Sequence, residues 1–487
     1  MLTGLLIVLP LLAGTLLLFT RGNSSRNLAL GFSLLELVLA TFAWAQFKHN
    51  PGHAMLSLDC SWIQSLGVKF AVGIDAMSLL LVLLTNFLVP LIILSSFQNN
   101  YEKPTIFYSL ILFMQMALVG VFVSNDGFLF YVFWELALIP IYFICLLWGG
   151  NDRAKITFKF FVYTLLGSLF MLVGLIYLHS HTGMVSGEKS WAINDLYAAG
   201  QKMNVSQQSA VFWLIFIAFA IKMPVFPFHT WQPDTYVAAP TQGTMLLSGI
   251  MLKMGTFGMI KWLMPVCPLG VEEWGSTAMG MAIIGIIYAS CIAIVQKDFK
   301  RLIAYSSIAH VGLIAAGIIA FSQQGIQGAL MQMVAHGVNV VALFLIADIL
   351  LRQTGTREIE KLGGIRNANP FFALLFLIVL LGAVALPLTN GFVGEFLLIT
   401  GVYSYSAATA AFAGLTIILG AVYMLRSYQG IMLGETNSTT AAFGKLAQTD
   451  KIVLVIACVM ILLTGVYPKP LNDLAESAAK NILMNLK

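Results

Sequence analysis

Along the chain, apolar runs of bilayer length alternate with short polar connections. A spanning helix needs roughly 20 mostly apolar residues. On that measure fourteen segments stand out, near 2–19, 28–47, 76–97, 106–124, 127–148, 157–179, 209–228, 236–264, 276–296, 301–321, 326–351, 370–403, 408–432 and 452–467. The twelfth is interrupted near Leu388–Gly391. Sustained period-2 alternation is absent, which excludes an outer-membrane barrel. Helices remain as the spanning form, because lipid offers no partner to an unpaired backbone group. The pattern predicts an all-α membrane protein of about fourteen transmembrane helices. After Pro468 and Pro470, Leu471, Leu474, Ile482, Leu483 and Leu486 lie among polar residues, as in a short surface helix.

Composition removes the soluble alternatives. Of 487 residues 59% are apolar and 10% charged, with a mean hydropathy of +0.88. A soluble protein carries roughly 25% charged residues. A soluble enzyme, a nucleic-acid binder and a disordered chain are therefore excluded, and the net charge of +5 supplies no polyanion-binding patch. Cys60, Cys145, Cys267, Cys291 and Cys458 lie far apart, without the paired spacing that zinc or a cluster requires. The N-terminal apolar run lacks a basic leader and is read as a retained first span.

Charge also predicts sidedness. The connections 21–27, 98–105, 149–159, 229–235, 297–301, 352–369 and 426–451 hold 16 of the 26 Lys and Arg. Cytoplasmic loops are the basic ones, so both termini are expected on the periplasmic side of a bacterial inner membrane. The longest polar stretches, 48–75 and 180–208, fall on that same side and are too short for a soluble catalytic domain.

Ionisable groups within the spans carry the candidate chemistry, since a mid-membrane charge is costly. Glu135 lies in span 5, Lys222 in span 7, Lys253 in span 8, His336 in span 11 and Glu395 in span 12, with His310 in span 10 as a further member. One such group per helix at similar depth makes a row in the membrane plane, able to hand a proton from member to member. The competing reading is a set of fixed ion pairs holding helices together. One pair would fit it; groups on five helices fit a relay better. Glu36, in span 2, is set aside as a structural contact, and His179 and His181 are read as interfacial.

Prolines interrupt two of these spans. Pro224 and Pro227 follow Lys222, and Pro387 interrupts span 12. Proline lacks the N–H that a carbonyl four residues back would accept, so free carbonyls are expected at Ala220, Met223 and Ala383, with Asn390 and Gly391 extending the second break. AIKMPV (220–225) and AVALPL (383–388) align without a gap, five spans apart. An odd separation reverses direction, which predicts inverted repeats with broken helices at corresponding places. The chain then divides into 1–105 (spans 1–3), 106–264 (spans 4–8, first repeat), 265–432 (spans 9–13, second repeat) and 433–487 (span 14 and tail).

The strings FYVFWELALIPIYF, AIKMPVFPFHTWQPD, APTQGTMLLSGIMLKMG, DFKRLIAYSSIAHVG and LPLTNGFVGEFLLI resemble the antiporter-like membrane subunits of proton-pumping NADH:quinone oxidoreductase, respiratory complex I. The likeness runs from span 3 to span 13. Glu395, where sister chains carry lysine, makes it most similar to the M type, equivalent to mitochondrial subunit 4. The resemblance implies Glu135 and Lys222 as a switchable acid–base pair, Lys253 as the central lysine, His310 and His336 as extensions of a wet polar axis, and Glu395 as its terminal group. It also implies neighbouring antiporter-like chains as partners, protons as the species moved, and FMN, iron–sulfur clusters and quinone held by other subunits, with no cofactor in this chain. Tyr236 and Ala238 depart from the family's His and acid after HTWQPD, and VNVVALF replaces a Ser- or Thr-containing stretch in span 11. A subunit of a multisubunit sodium/proton antiporter or a membrane-bound hydrogenase shares this relay, and a purely structural scaffold is the more distant alternative.

Overall fold

The computed structural model describes residues 1–20, 22, 24–49 and 56–484. Arg21 of the first basic connection, residues 50–55 of the polar stretch 48–75, and Leu486 and Lys487 lie outside them. Among the described residues twelve helices are long and apolar enough to cross a bilayer. Two more spans come from Leu2–Leu17 and from Pro370–Ala383 continued by Asn390–Tyr405. The order is Leu2–Leu17, Ser24–His49, Ala76–Ser95, Pro104–Val123, Gly127–Trp148, Arg153–Ser186, Val205–Lys222 (span 7), Thr241–Leu263 (span 8), Pro268–Ile294, Phe299–Ile319 (span 10), Gln323–Thr354 (span 11), the divided span 12, Ala407–Met432 and Gln448–Val466.

Polar side chains start many of these helices. Asp75, Asp298, Ser322 and Asn369 each accept an amide from the first turn, and Asn204 with Gln207 forms a reciprocal cap. Spans 8, 10 and 11 are enclosed by protein almost throughout, whereas spans 2, 6, 13 and 14 present apolar flanks outward. The surface helix expected after Pro470 is Lys469–Met484, which buries Leu474, Ala475, Ala478 and Ala479 against spans 3 and 11.

Three features differ from the sequence pattern. A hairpin, Ser57–Ile63 paired antiparallel with Val68–Gly73, fills part of the polar stretch 48–75. Span 8 starts at Thr241 rather than 236, because Gln232–Ala238 is a separate short helix completing the broken span 7. The break in span 12 runs from Val384 to Thr389, upstream of the expected place, so Asn390 and Gly391 begin its second half.

The two breaks are built alike. Span 7 closes with Met223 N–H donating to Phe219 O at 2.8 Å and Val225 N–H to Ala220 O at 2.9 Å. The first half of span 12 closes with Val384 N–H to Leu380 O at 2.9 Å and Leu386 N–H to Leu381 O at 3.0 Å. In each, a four-residue bond is followed by a five-residue one, the wide turn that lets a helix end beside proline. Ala220 O is therefore paired rather than free. These bonds equate Lys222 with Ala383 and Pro224 with Ala385, two residues out of register with the proline-based alignment. Ala385 and Leu388 both adopt positive φ, +55° and +75°, which side chains with a Cβ disfavour.

Candidate functional site: a buried polar row

Each expected member lies where its span brings it toward the protein centre. Lys222 is buried as the last residue of its helix, where the carbonyl end of the helix dipole favours a cation. The indole of Trp231, from beyond the break, donates to Ile221 O at 2.9 Å and holds the two halves of span 7 together. Lys222 Nζ stands 5.2 Å from the centroid of the Trp134 ring, a cation–π distance. Its neighbour in sequence, Glu135, is half-buried with Ser168 and Tyr131 beside it, and lies within electrostatic reach of Lys222. No ion pair joins Glu135 to Lys222 among the described residues.

Lys253 lies between two wide, π-type turns of span 8, Leu247–Met251 and Met259–Leu263. Its ammonium donates to Ser248 O at 2.7 Å and stands 2.9 Å from His336 Nδ1. His336 Nε2 is 3.0 Å from Ser307 Oγ. When Lys253 donates to Nδ1, the ring proton sits on Nε2 and points at Ser307. The His310 ring centroid is 6.2 Å from that of His336. His310 Nδ1 in turn is 2.8 Å from Glu395 Oε1, which also accepts from Gln332 Nε2 at 3.0 Å. His310 thus touches Glu395 directly and faces the His336 ring.

A cavity of about 20 Å³ lies among Ser306, Ser307, His310, Gln332, His336 and Asn339. That is room enough for one water. His310 Nε2, Gln332 Oε1 and Asn339 Oδ1 are buried around it without a partner among the described residues. Spans 11 and 12 approach closely enough to form this end because Gly394 and Gly328 lack side chains. A Cβ at Gly394 would lie 2.5 Å from Gln332 Oε1, and one at Gly328 would lie 2.6 Å from Leu398 N. Small residues at such crossings are the usual means of close helix approach in membranes.

Several polar residues escaped the sequence reading. Ser307 and Gln332 are neutral, and nothing in composition separates them from ordinary helix contacts. Lys261, in the last turn of span 8, bonds Asp75 at 3.0 Å and Asn125 at 3.1 Å. Partial enclosure raises the Asp75 carboxyl, but the Lys261 ammonium and the Ser78 amide more than offset this and hold it below the usual carboxylate range. At the opposite end Thr241 donates to Asp348 at 2.6 Å, and Arg352 bridges Asp348 and Asp450 at 2.8 Å each. This cluster borders a cavity of about 540 Å³ that also reaches Lys300, Arg301 and Arg357. Its charges sit near span ends, where they read as interfacial. Glu36, expected in a structural contact, is buried with both carboxylate oxygens unpartnered among the described residues. Tyr236 is enclosed, and its backbone carbonyl accepts from Thr244 at 2.8 Å. His179 stacks on Trp191 with centroids 4.0 Å apart.

Residues 124–420 match the family described as NADH:quinone oxidoreductase/Mrp antiporter, transmembrane. The chain is 38% identical over 454 residues to the NADH-quinone oxidoreductase subunit M of Rickettsia conorii, covering 93% of this chain and 91% of that one. It is similar throughout its length to a chain of respiratory complex I from Thermus thermophilus, with a TM-score of 0.89 and 32% identity, covering 100% of each. A chain of the Mrp complex from Dietzia has the same fold, with a TM-score of 0.85 at 20% identity over 100% of this chain and 99% of that one.

Proposed function

Because the chain belongs to the NADH:quinone oxidoreductase/Mrp antiporter transmembrane family, we propose that it is the M-type proton-translocating membrane subunit of an NADH:quinone oxidoreductase. Glu135 and Lys222 form the switchable end, Lys253 and His336 the middle, and His310 with Glu395 the far end. NADH oxidation, with its flavin, clusters and quinone, belongs to partner chains. The single observation that carries this reading is the run of neighbouring groups from Lys253 through His336 and His310 to Glu395, with a water-sized cavity beside the two imidazoles.

The driving step is electrostatic. A charge arriving from a neighbouring subunit alters how strongly Glu135 holds Lys222 in its charged form, and Lys222 then gives up or regains a proton. That change passes to Lys253, whose contact with His336 allows transfer through the imidazole: a proton enters at Nδ1 as another leaves Nε2. His310 takes it up and passes it to Glu395. Basic connections on the cytoplasmic face and both termini on the opposite face complete the arrangement. Residues 106–264 and 265–432 act as inverted repeats, a reading supported by the like termination of their broken helices.

Lys222→Ala and Lys222→Arg test it in the assembled complex. Alanine removes the titrating group on a helix that tolerates it, and Glu135 can protonate instead of remaining an unpaired charge. Arginine keeps a charge but does not release its proton. Both variants are expected to assemble and to lose most proton pumping in reconstituted vesicles. Normal pumping by the arginine variant, together with failed assembly of the alanine variant, would favour the scaffold instead.

A further inference from the structure

Two cavities away from the polar row share a wall. One, of about 520 Å³, lies where span 2 ends and the C-terminal helix begins, bordered by Trp44, Lys48, Tyr467, Lys469 and Asp473. The other, of about 190 Å³, lies deeper between spans 2, 3, 11 and 14, bordered by Leu37, Trp44, Leu83, Phe87, Val334 and Met460, with apolar walls. Trp44 belongs to both. Leu471, which follows Pro470 of the upper cavity, reaches the lower one.

We propose that this pair of cavities binds one anionic phospholipid, with its phosphodiester between Lys48 and Lys469 and an acyl chain in the apolar compartment. The dimensions suit it. Leu37 and Lys48 are eleven residues apart on one helix, about 16 Å of rise, which is half of a hydrocarbon core of roughly 30 Å. A polar chamber above an apolar one, joined by an interfacial tryptophan, is the shape of an amphiphile.

Charge selects among amphiphiles. The ion pair on the C-terminal helix joins Lys480 to Glu476 at 2.6 Å, and no acid contacts Lys48 or Lys469 among the described residues. Two lysines and Asp473 leave one net positive charge, which one phosphodiester neutralises. Two ammonium groups flanking a phosphodiester make charge-assisted hydrogen bonds with its oxygens. A protein segment fits less well, because it would carry backbone N–H and C=O groups into a compartment with nothing to pair them. Lipid acyl chains carry none.

The test uses the assembled complex in phosphatidylcholine vesicles containing a minor fraction of phosphatidylglycerol, followed by extraction in mild detergent and native mass spectrometry of retained lipid. Replacing both Lys48 and Lys469 with alanine is expected to lower phosphatidylglycerol retention roughly thirtyfold, at about 1 kcal/mol for each lysine, while leaving phosphatidylcholine and proton pumping unchanged. Leu83→Trp, which fills the deeper compartment, is expected to reduce retention of the same lipid with both lysines intact. Unchanged phosphatidylglycerol retention in both variants would overturn the proposal. So would a photo-crosslinker at Leu37 that captures another protein chain instead of lipid.

Discussion

Lys253 Nζ and His336 Nδ1, 83 residues apart in sequence, meet at 2.9 Å in the middle of the protein. The contact joins span 8 to span 11, two of the three most enclosed spans of the fold. Among the described residues neither group has a carboxylate in contact, and the pair's polar neighbours are Ser248 O, Ser307 Oγ and the histidine beyond.

His336→Gln tests that contact. Glutamine keeps a polar group of similar reach but has no second ring nitrogen through which a proton can leave. Proton pumping in reconstituted vesicles is expected to fall by roughly tenfold or more, with the complex assembled and its dehydrogenase centres intact. Undiminished acidification would remove the imidazole from the route.

Gly394→Val should act on position rather than on titration. Its Cβ alone meets Gln332, so span 12 must move away from span 11. Overpacking of this kind costs about 1–3 kcal/mol. A lowered midpoint of thermal unfolding is expected together with reduced pumping, because the Glu395–His310 contact opens. Loss of neither would show that the helices separate without consequence.

Ala385→Gly should do the reverse. Alanine at φ +55° is disfavoured by about 1–2 kcal/mol relative to a right-handed conformation, and glycine removes most of that cost. Thermal unfolding of the complex should shift upward or stay level, with the break in span 12 retained. A clear loss of stability would mean that the methyl group packs better than its backbone strain suggests.

Asp75 gives a pH dependence of defined sign. Its folded carboxyl titrates below the ordinary range, so its contribution is complete above that range and is lost as pH falls through the folded value. The stability difference between the wild type and Asp75→Asn is expected to be largest near neutrality and to shrink on acidification. A difference independent of pH would mean that the Lys261 contact contributes as a neutral hydrogen bond only.

How much of this could be read from the sequence depended on contrast. Glu135, Lys222, Lys253, His336 and Glu395 stand out because each is an ionisable group in an apolar run, and the structure keeps all five in or beside the interior. Span number was legible for the same reason, since a run of bilayer length is hard to disguise. Ser307 and Gln332 were not legible, because a neutral polar residue in a membrane helix has many uses. Lys261, Asp348 and Arg352 sit close enough to span ends to pass for interfacial groups. The proline alignment found the right pair of broken helices but missed their register by two. What equates the breaks is where a carbonyl last finds an amide, and proline stands just before that donor in one helix and just after it in the other.

The cavity between the histidines, near 20 Å³, bears on what the proposed relay would pass. A proton crosses such a gap by exchanging bonds, and no nucleus heavier than hydrogen makes the journey. A sodium ion would have to exchange its shell of water oxygens for the imidazole nitrogens and amide oxygen of His310, His336 and Gln332. Pore dimension and lining groups decide permeation at close quarters. On the proposed relay, a water-sized gap lined by imidazoles and amides would serve to pass charge by rearranging bonds rather than by moving a heavy particle through the fold.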